Sequence, residues 1–351
     1  MATGALGTEI LETMKPLFFK VKNGGMFFLL MAMFTGAFPA AAQSFFPTPP
    51  LPVGLQPYCV AVADVNGDGK MDLISANYGD NTLIVLTNSG KGVFIAASTN
   101  AVGGGPDSVA AADVNGDGKP DLISVNYADD TLMVLTNNGD GTFTASSTNG
   151  VGSFPFNVAV ADVNGDGKLD LICANTGANT LTVLTNDGDG TFTVSATVTV
   201  GNSPSVAAAD VNGDGKPDLI SANYTDNTVT VLTNNGDGTF TFSSTTTNSG
   251  GSLPFYVAAA DVNGDGTPDL ISANYSDNTL AVLLNLPALK IQSASAGTAL
   301  VSWSPAWPGY LLQQNTNVAT ANWANVTNST GTNRITISPA TGNNFFRLRH
   351  P

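Results

Sequence analysis

The sequence predicts an all-β protein: a five-bladed β-propeller of four-stranded blades, followed by a small β-sandwich. Three observations carry that prediction. The segment DVNGDGKMDL at residues 64–73 returns in four further copies, starting at Asp113, Asp162, Asp210 and Asp261. The starts are 49, 49, 48 and 51 residues apart, a period that marks a propeller, solenoid or array. Each period holds four short apolar runs separated by turn residues, the content of one four-stranded blade.

The first run of the first unit, Tyr58–Val65, is rich in Val and Ala and ends at the acidic segment. The small side chains suit a crowded position near a central axis. The second run is DLISAN, Asp72–Asn77, and the turn YGDNT at Tyr78–Thr82 follows it. Asn, Asp and Gly give that turn the chemistry of a hairpin. The third run, Leu83–Asn88, is apolar on both sides, as are LMVL, LTVL, VTVL and LAVL in the later copies. Continuous apolar runs of this kind belong to strands covered on both faces. A second turn precedes Phe94, and its later versions read NNGDGTF, NDGDGTF and NNGDGTF. The fourth strand runs through Phe94, and a loop returns through Val102, Gly103 and Pro106.

The array closes on itself in sequence. Copy five stops after its third strand, at Leu284 and Asn285, with no Phe turn behind it. Yet Phe45, Val53, Gly54 and Pro57 repeat the spacing of Phe94, Val102, Gly103 and Pro106. The N-terminal strand is therefore expected to complete the last blade, which removes an exposed edge. Ring closure of this kind leads to the expectation of a monomer.

The acidic segment reads as a metal loop. Counting Asp64 as position 1, side-chain oxygens fall at positions 1, 3, 5 and 9, and the position-7 carbonyl joins them. The first set is Asp64, Asn66, Asp68, Lys70 and Asp72; the second is Asp113, Asn115, Asp117, Lys119 and Asp121. The third is Asp162, Asn164, Asp166, Lys168 and Asp170, and the fourth Asp210, Asn212, Asp214, Lys216 and Asp218. Asp261, Asn263, Asp265, Thr267 and Asp269 make the fifth. Close anions repel unless a cation sits between them. An all-oxygen set suits a hard cation, and Ca²⁺ fits a flexible loop better than Mg²⁺ with its stiff octahedron. Up to five Ca²⁺ are expected, one per repeat. The opening six residues match an EF-hand loop, but position 12 is Ser75 rather than a bidentate Glu. The Asp at position 9 would take the part of last carboxylate.

Charge follows the same plan. Residues 43–287 hold 25 Asp, no Glu and five Lys, a net of −20; 15 of those Asp lie in the five repeats. Such a domain repels phosphates, so nucleic acid is excluded as a partner. Residues 288–351 carry no acid and four cations, Lys290, Arg334, Arg347 and Arg349, which places a domain boundary near Pro287. Their short runs, LKIQS, ALVSW, YLLQQ, WANV, RITIS and FFRLRH, suggest the small sandwich. Trp303, Trp307 and Trp323 offer a sugar platform, although core positions are the simpler reading of them.

Residues 1–42 read as a signal peptide. Lys15, Lys20 and Lys22 precede the apolar run Met26–Phe38, and Ala40–Ala42 offer a cleavage site before Gln43. Translation from Met14 would remove the two ill-fitting glutamates, Glu9 and Glu12. The expected location is extracellular or cell-surface, with the periplasm as a further option, and no membrane span remains after cleavage. Cys59 and Cys173 read as buried small residues rather than a disulfide pair.

The D-x-N-x-D-G-x-x-D loop between two strands, with the N-x-G-D-G-x-F turn behind it, resembles the FG-GAP/VCBS repeats over residues 44–287. These repeats resemble the blades of the integrin alpha-chain propeller, which has seven. The resemblance implies a Ca²⁺-loaded extracellular propeller acting in adhesion or ligand binding. The C-terminal segment is similar to fibronectin type III-like modules of secreted bacterial proteins.

A catalytic reading finds little to work with. The single His is His350, residues 43–351 hold no Glu, and most Asp are committed to loops or turns. The expected function is a non-catalytic binding or adhesion module for an extracellular glycan or protein. The alternatives are a calcium-dependent hydrolase or lyase on a propeller scaffold and a passive structural or sorting module. Gly79, Ala128, Gly177, Thr225 and Ser276 differ between copies at the turn equivalent to Tyr78–Thr82 and are expected to mark any binding face.

Overall fold

The computed structural model describes residues 49–248 and 251–285, then 288–293, 299–304, 311–315, 322–326, 334–337 and 345–349. The expected signal peptide and Phe45 lie outside these residues. No helix occurs among the described residues, and none there is long and apolar enough to cross a membrane.

The first blade is β1 (Pro57–Ala63), β2 (Asp72–Asn77), β3 (Thr82–Gly90) and β4 (Val93–Ala101), antiparallel in that order. The second is β5 (Pro106–Ala112), β6 (Asp121–Asn126), β7 (Thr131–Asn137) and β8 (Phe143–Gly150). The third is β9 (Pro155–Ala161), β10 (Asp170–Asn175), β11 (Thr180–Asn186) and β12 (Phe192–Thr199). The fourth is β13 (Pro204–Ala209), β14 (Asp218–Asn223), β15 (Thr228–Asn234) and β16 (Phe240–Thr247). The fifth has three strands among the described residues: β17 (Pro254–Ala260), β18 (Asp269–Asn274) and β19 (Thr279–Leu283). The fold is the expected all-β propeller of repeated antiparallel blades.

Burial explains the order of strands. In blades two to four the second strands are buried from end to end, as DLISVN and DLICAN show, and the third strands are nearly so. The fourth strands are mostly exposed and form the outer edge of each blade. First strands of successive blades lie side by side, where their Ala and Val allow close approach.

Blades pack face on face. Ile74, Leu83 and Val85 of blade one meet Val109, Leu122 and Leu135 of blade two. Equivalent clusters join blades two and three, three and four, and four and five. Cys173 is buried in one of these clusters, Cys59 is half-buried, and both are free thiols. Burial pushes the Cys173 thiol far above its ordinary range.

The loop that enters blade one repeats the loop that enters blade two. The Leu55 and Gln56 carbonyls accept the N–H groups of Gly79 and Tyr78, as Gly104 and Gly105 do for Ala128 and Tyr127. The strand expected to complete the fifth blade begins at Phe45, outside the described residues.

The C-terminal part forms two three-stranded sheets. One is β20 (Ala288–Ser293), β21 (Ala299–Ser304) and β24 (Arg334–Ile337). The other is β22 (Leu311–Asn315) between β23 (Ala324–Asn325) and β25 (Phe345–Arg349). Val301 and Leu312, from opposite sheets, make the core of this sandwich. Trp323 is half-buried with the Arg347 guanidinium 4.4 Å above its ring. Trp307 and the side chain of Trp303 fall outside the description.

Candidate metal centres and an aromatic face

Each acidic loop joins the first two strands of a blade, so all five loops sit at the same end of their blades. Gly67 and Gly69 take φ of +73° and +80°, and a Cβ on either would meet open space. Backbone curl, not crowding, is therefore what these glycines serve.

The curl lets the loop close on its own carboxylate. Asp64 Oδ1 accepts the N–H of Gly67 at 2.9 Å, and its Oδ2 accepts that of Gly69 at 2.7 Å. Asn66 Oδ1 accepts the Asp68 N–H, and Asp68 Oδ1 that of Lys70. The same bonds recur around Asp113, Asp162, Asp210 and Asp261. The Lys70 ammonium lies 2.7 Å from Asp68 and, with its backbone N–H, holds that carboxyl below the usual range. Asp117 and Asp166 are held below the usual range first by the backbone N–H of Lys119 and Lys168 and then by their ammonium groups.

The position-9 carboxylate stands apart from the other three. Asp121 is fully buried; its Oδ2 accepts the Val114 N–H at 3.1 Å and its Oδ1 the Asn137 N–H at 2.8 Å. Asp72, Asp170, Asp218 and Asp269 are bound in the same way. Burial raises Asp121, Asp170 and Asp218 above the ordinary carboxylate range, and the two nearest loop carboxylates add to the effect. Among the described residues no three acidic side chains converge on one point. The loop thus gathers half-buried Asp64 and Asn66 with exposed Asp68 on its rim, and Asp72 pins its base. The rim oxygens and the position-7 carbonyl have the chemistry a hard cation takes. A cation there would also offset the repulsion that raises the buried carboxylates.

Sequence reasoning missed the partner of that pin. Asn137 donates its side-chain amide to the Val65 carbonyl, inside the acidic loop of the preceding blade, at 2.9 Å. Asn186, Asn234 and Asn285 make the same bond to Val114, Val163 and Val211. The signal was present: Asn stands 16 residues after the position-9 Asp in all five copies. Lys at position 7 also has a second task. Lys168 and Lys216 reach the carbonyls of Asp187 and Asn235 in the following turn, where a Cβ on Gly188 or Gly236 would strike the lysine stem. Thr267 replaces Lys in the copy whose third strand ends without that turn, and bonds Asp265 and the Asn285 carbonyl instead. Asp140, Asp189 and Asp237 accept the N–H and hydroxyl of Thr142, Thr191 and Thr239 within their own turns, as plain hairpin chemistry requires.

The opposite end of the blades is aromatic. Tyr58 stacks on Tyr78 at 4.6 Å, and Tyr127 stacks on Phe154 at 5.0 Å, with Tyr78 and Tyr127 in contact between the pairs. Phe156 of blade three meets Phe255 and Tyr256 of blade five, and Tyr224 and Tyr275 extend that group. Tyr58, Phe154, Phe255 and Tyr275 are exposed. The copy-variable residues Gly79, Ala128, Gly177, Thr225 and Ser276 lie on the turns at this end. So do Asp80, Asp129, Asp130, Asp226 and Asp277, with Asp107 at the start of β5. All five propeller lysines lie at the other end. Burial raises Asp107 to about 6 and Tyr256 to about 12, with Cys59 and Asp107 contributing to the latter.

A family model described as the FG-GAP-like repeat matches residues 64–124, 113–173, 162–221 and 210–272. No curated protein matches the chain. Among solved structures, a Lactobacillus plantarum protein is 16% identical, with a TM-score of 0.46 over 79% of this chain and 85% of its own. A candidate 6-phosphogluconolactonase from Bacteroides uniformis is 14% identical, with a TM-score of 0.46 over 83% and 88%. A Desulfotomaculum acetoxidans protein of unknown function gives 14% and 0.47 over 67% and 71%. Likenesses at that level assign no activity.

Proposed function

The chain belongs to the FG-GAP-like repeat family, and from that premise we propose a secreted, calcium-binding propeller that acts as a non-catalytic binding module. Its partner is an extracellular glycan or protein, held at the aromatic end. The observation that carries the reading is the division of labour between the two ends. Five oxygen-rich loops, each latched or pinned by buried amide bonds, occupy one end. Nine aromatic rings linked by contacts, with copy-variable turns among them, occupy the other.

Calcium in this reading is structural. At a Kd of ~10⁻⁴ M and ~10⁻³ M external calcium, each site contributes about 1.4 kcal/mol. Aromatic faces suit the apolar face of a sugar ring or an apolar side chain, and carboxylates nearby accept its hydroxyl or amide protons. Arrays of glycans and of extracellular proteins, probed with calcium and with EDTA, test the binding claim. A saturable hit that disappears on substituting Tyr127 and Tyr275 with Ala supports it. No hit in either condition refutes it.

A further inference from the structure

Four of the five first strands carry an extra residue just after their opening proline. Register shifts put Tyr58, Asp107, Phe156 and Phe255 out of the ladders of β1, β5, β9 and β17. The first strand of blade four is one residue shorter and pairs without a break from Pro204 to Ala209. Bulges of this kind re-aim a side chain and are frequent beside functional sites. Here three of the four bulged residues are aromatic and one is a carboxylate.

β5 and β9 lie side by side, which sets Asp107 and Phe156 at matching places in adjacent blades. The Phe156 ring passes the short strand of blade four and meets Phe255 at 5.1 Å and Tyr256 at 5.4 Å in blade five. The Tyr256 phenol, raised first by burial, also feels the charges of Cys59 and Asp107. The carboxylate and the rings therefore share one end of the blades.

Nothing in the chain answers the charge of Asp107. The other acids at this end are occupied. Asp80, Asp129, Asp130 and Asp226 accept backbone N–H groups, and Asp277 accepts the Ser252 hydroxyl. Half-buried Asp107 accepts no hydrogen bond from any described residue and faces no cation. The propeller holds no Arg, and its five lysines lie at the opposite end. A desolvated carboxylate without a partner destabilises the free protein. Beside aromatic faces it is the complement of an organic cation. Ser205, at the register of Asn157 and Tyr256, is 1% exposed and adds a hydroxyl without a partner.

We propose that this end of the propeller binds the ammonium group of a lysine side chain on a protein partner, its N–H groups on Asp107 and its charge against the Phe156 and Tyr256 rings. Two features favour lysine over a sugar. The rings suit its four-carbon stem, and the neighbouring acids are already bonded, which leaves few acceptors for sugar hydroxyls. The net charge of −20 over residues 43–287 draws a basic partner in. The proposal rests on the binding-module reading and narrows its ligand to a basic protein segment.

Three probes test it by NMR titration of the full chain in calcium buffer: Nα-acetyl-lysine methylamide, the same compound acetylated on its side-chain nitrogen, and glucosamine. The charged lysine probe should bind roughly tenfold more tightly than its acetylated form, which keeps the stem without the charge. Asp107→Asn should weaken that binding by about tenfold. Phe156→Leu, which keeps bulk but no ring, should weaken it about threefold. Circular dichroism checks that both variants fold. Equal binding of the two lysine probes overturns the proposal. So does an Asp107→Asn chain that binds as the parent does, or a preference for glucosamine. An array hit that the lysine probe displaces supports it. A hit that the probe leaves in place overturns it, while the binding-module reading stands.

Discussion

The side-chain amide of Asn137 bonds the backbone carbonyl of Val65, 2.9 Å away and 72 residues earlier, in the preceding blade's acidic loop. The same amide bonds the Pro120 carbonyl, and the Asn137 N–H is held by Asp121. One buried residue thus ties the end of its blade's third strand, its own loop and its neighbour's loop together. Loop geometry and blade packing are consequently one cooperative unit rather than two.

Asn137→Ala leaves the Val65 carbonyl buried without that donor, which costs about 1–3 kcal/mol. Asn88→Ala removes a bond within one blade only, and its cost is expected nearer the low end of that range. Urea unfolding of the two variants checks the difference. Equal losses would mean that the inter-blade bond contributes nothing of its own.

The glycine of the returning loop is a matter of space. A Cβ on Gly103 would lie 2.7 Å from Asn126 Cγ, and Asn126 is fully buried and bonded to Ser124 and Thr131. Gly103→Ala must displace that network or the loop, at a cost of about 1–3 kcal/mol. Thermal melts read the loss. A variant as stable as the parent would show that the loop shifts freely.

Stability against pH should carry the mark of Asp107. Its folded-state value is raised by burial to about 6, above the ordinary 3.8. The native protein then binds a proton more tightly than the unfolded chain. Stability from this group is therefore greatest below about pH 4 and is lost as pH rises through 6. Asp107→Asn should flatten that segment of the curve and stabilise the protein at pH 7.5 by about 1 kcal/mol, after allowance for screening by solvent. Melting temperatures at pH 4.5 and 7.5 decide; an unchanged difference between them rejects the assignment.

Much of this was legible in the sequence because repetition amplifies local rules. Strands DLISAN and LIVLTN declared themselves through apolar runs bounded by turn residues, and glycines at loop positions 4 and 6 declared the curl. The position-9 Asp was legible as a loop carboxylate but not as a buried pin, because its partners are backbone N–H groups that any sequence supplies. The Asn of the latch recurs at a fixed place in every copy, but its role was not legible, because its acceptor is a carbonyl 72 residues away. The aromatic end needed the fold, since Tyr78 and Tyr127, or Phe156 and Phe255, become neighbours only when blades stack.

The strongest test of the loops separates pin from ligand. Asp117 is an exposed rim carboxylate, and Asp121 is a buried one that accepts two backbone N–H groups. In EDTA, Asp117→Asn should leave unfolding within about 0.5 kcal/mol of the parent, as exposed substitutions usually do. Asp121→Asn keeps one oxygen for two N–H groups, so it should lose about 1–3 kcal/mol in the same buffer. With calcium present the order of effects changes. The parent should gain about 1.4 kcal/mol per site, and Asp117→Asn should fall short by one site's share. Calorimetric titration should count one ion fewer in that variant. If calcium leaves the parent's melting temperature unchanged, the loops are hydrogen-bonded turns alone, and Asp121 remains a structural pin with no metal above it.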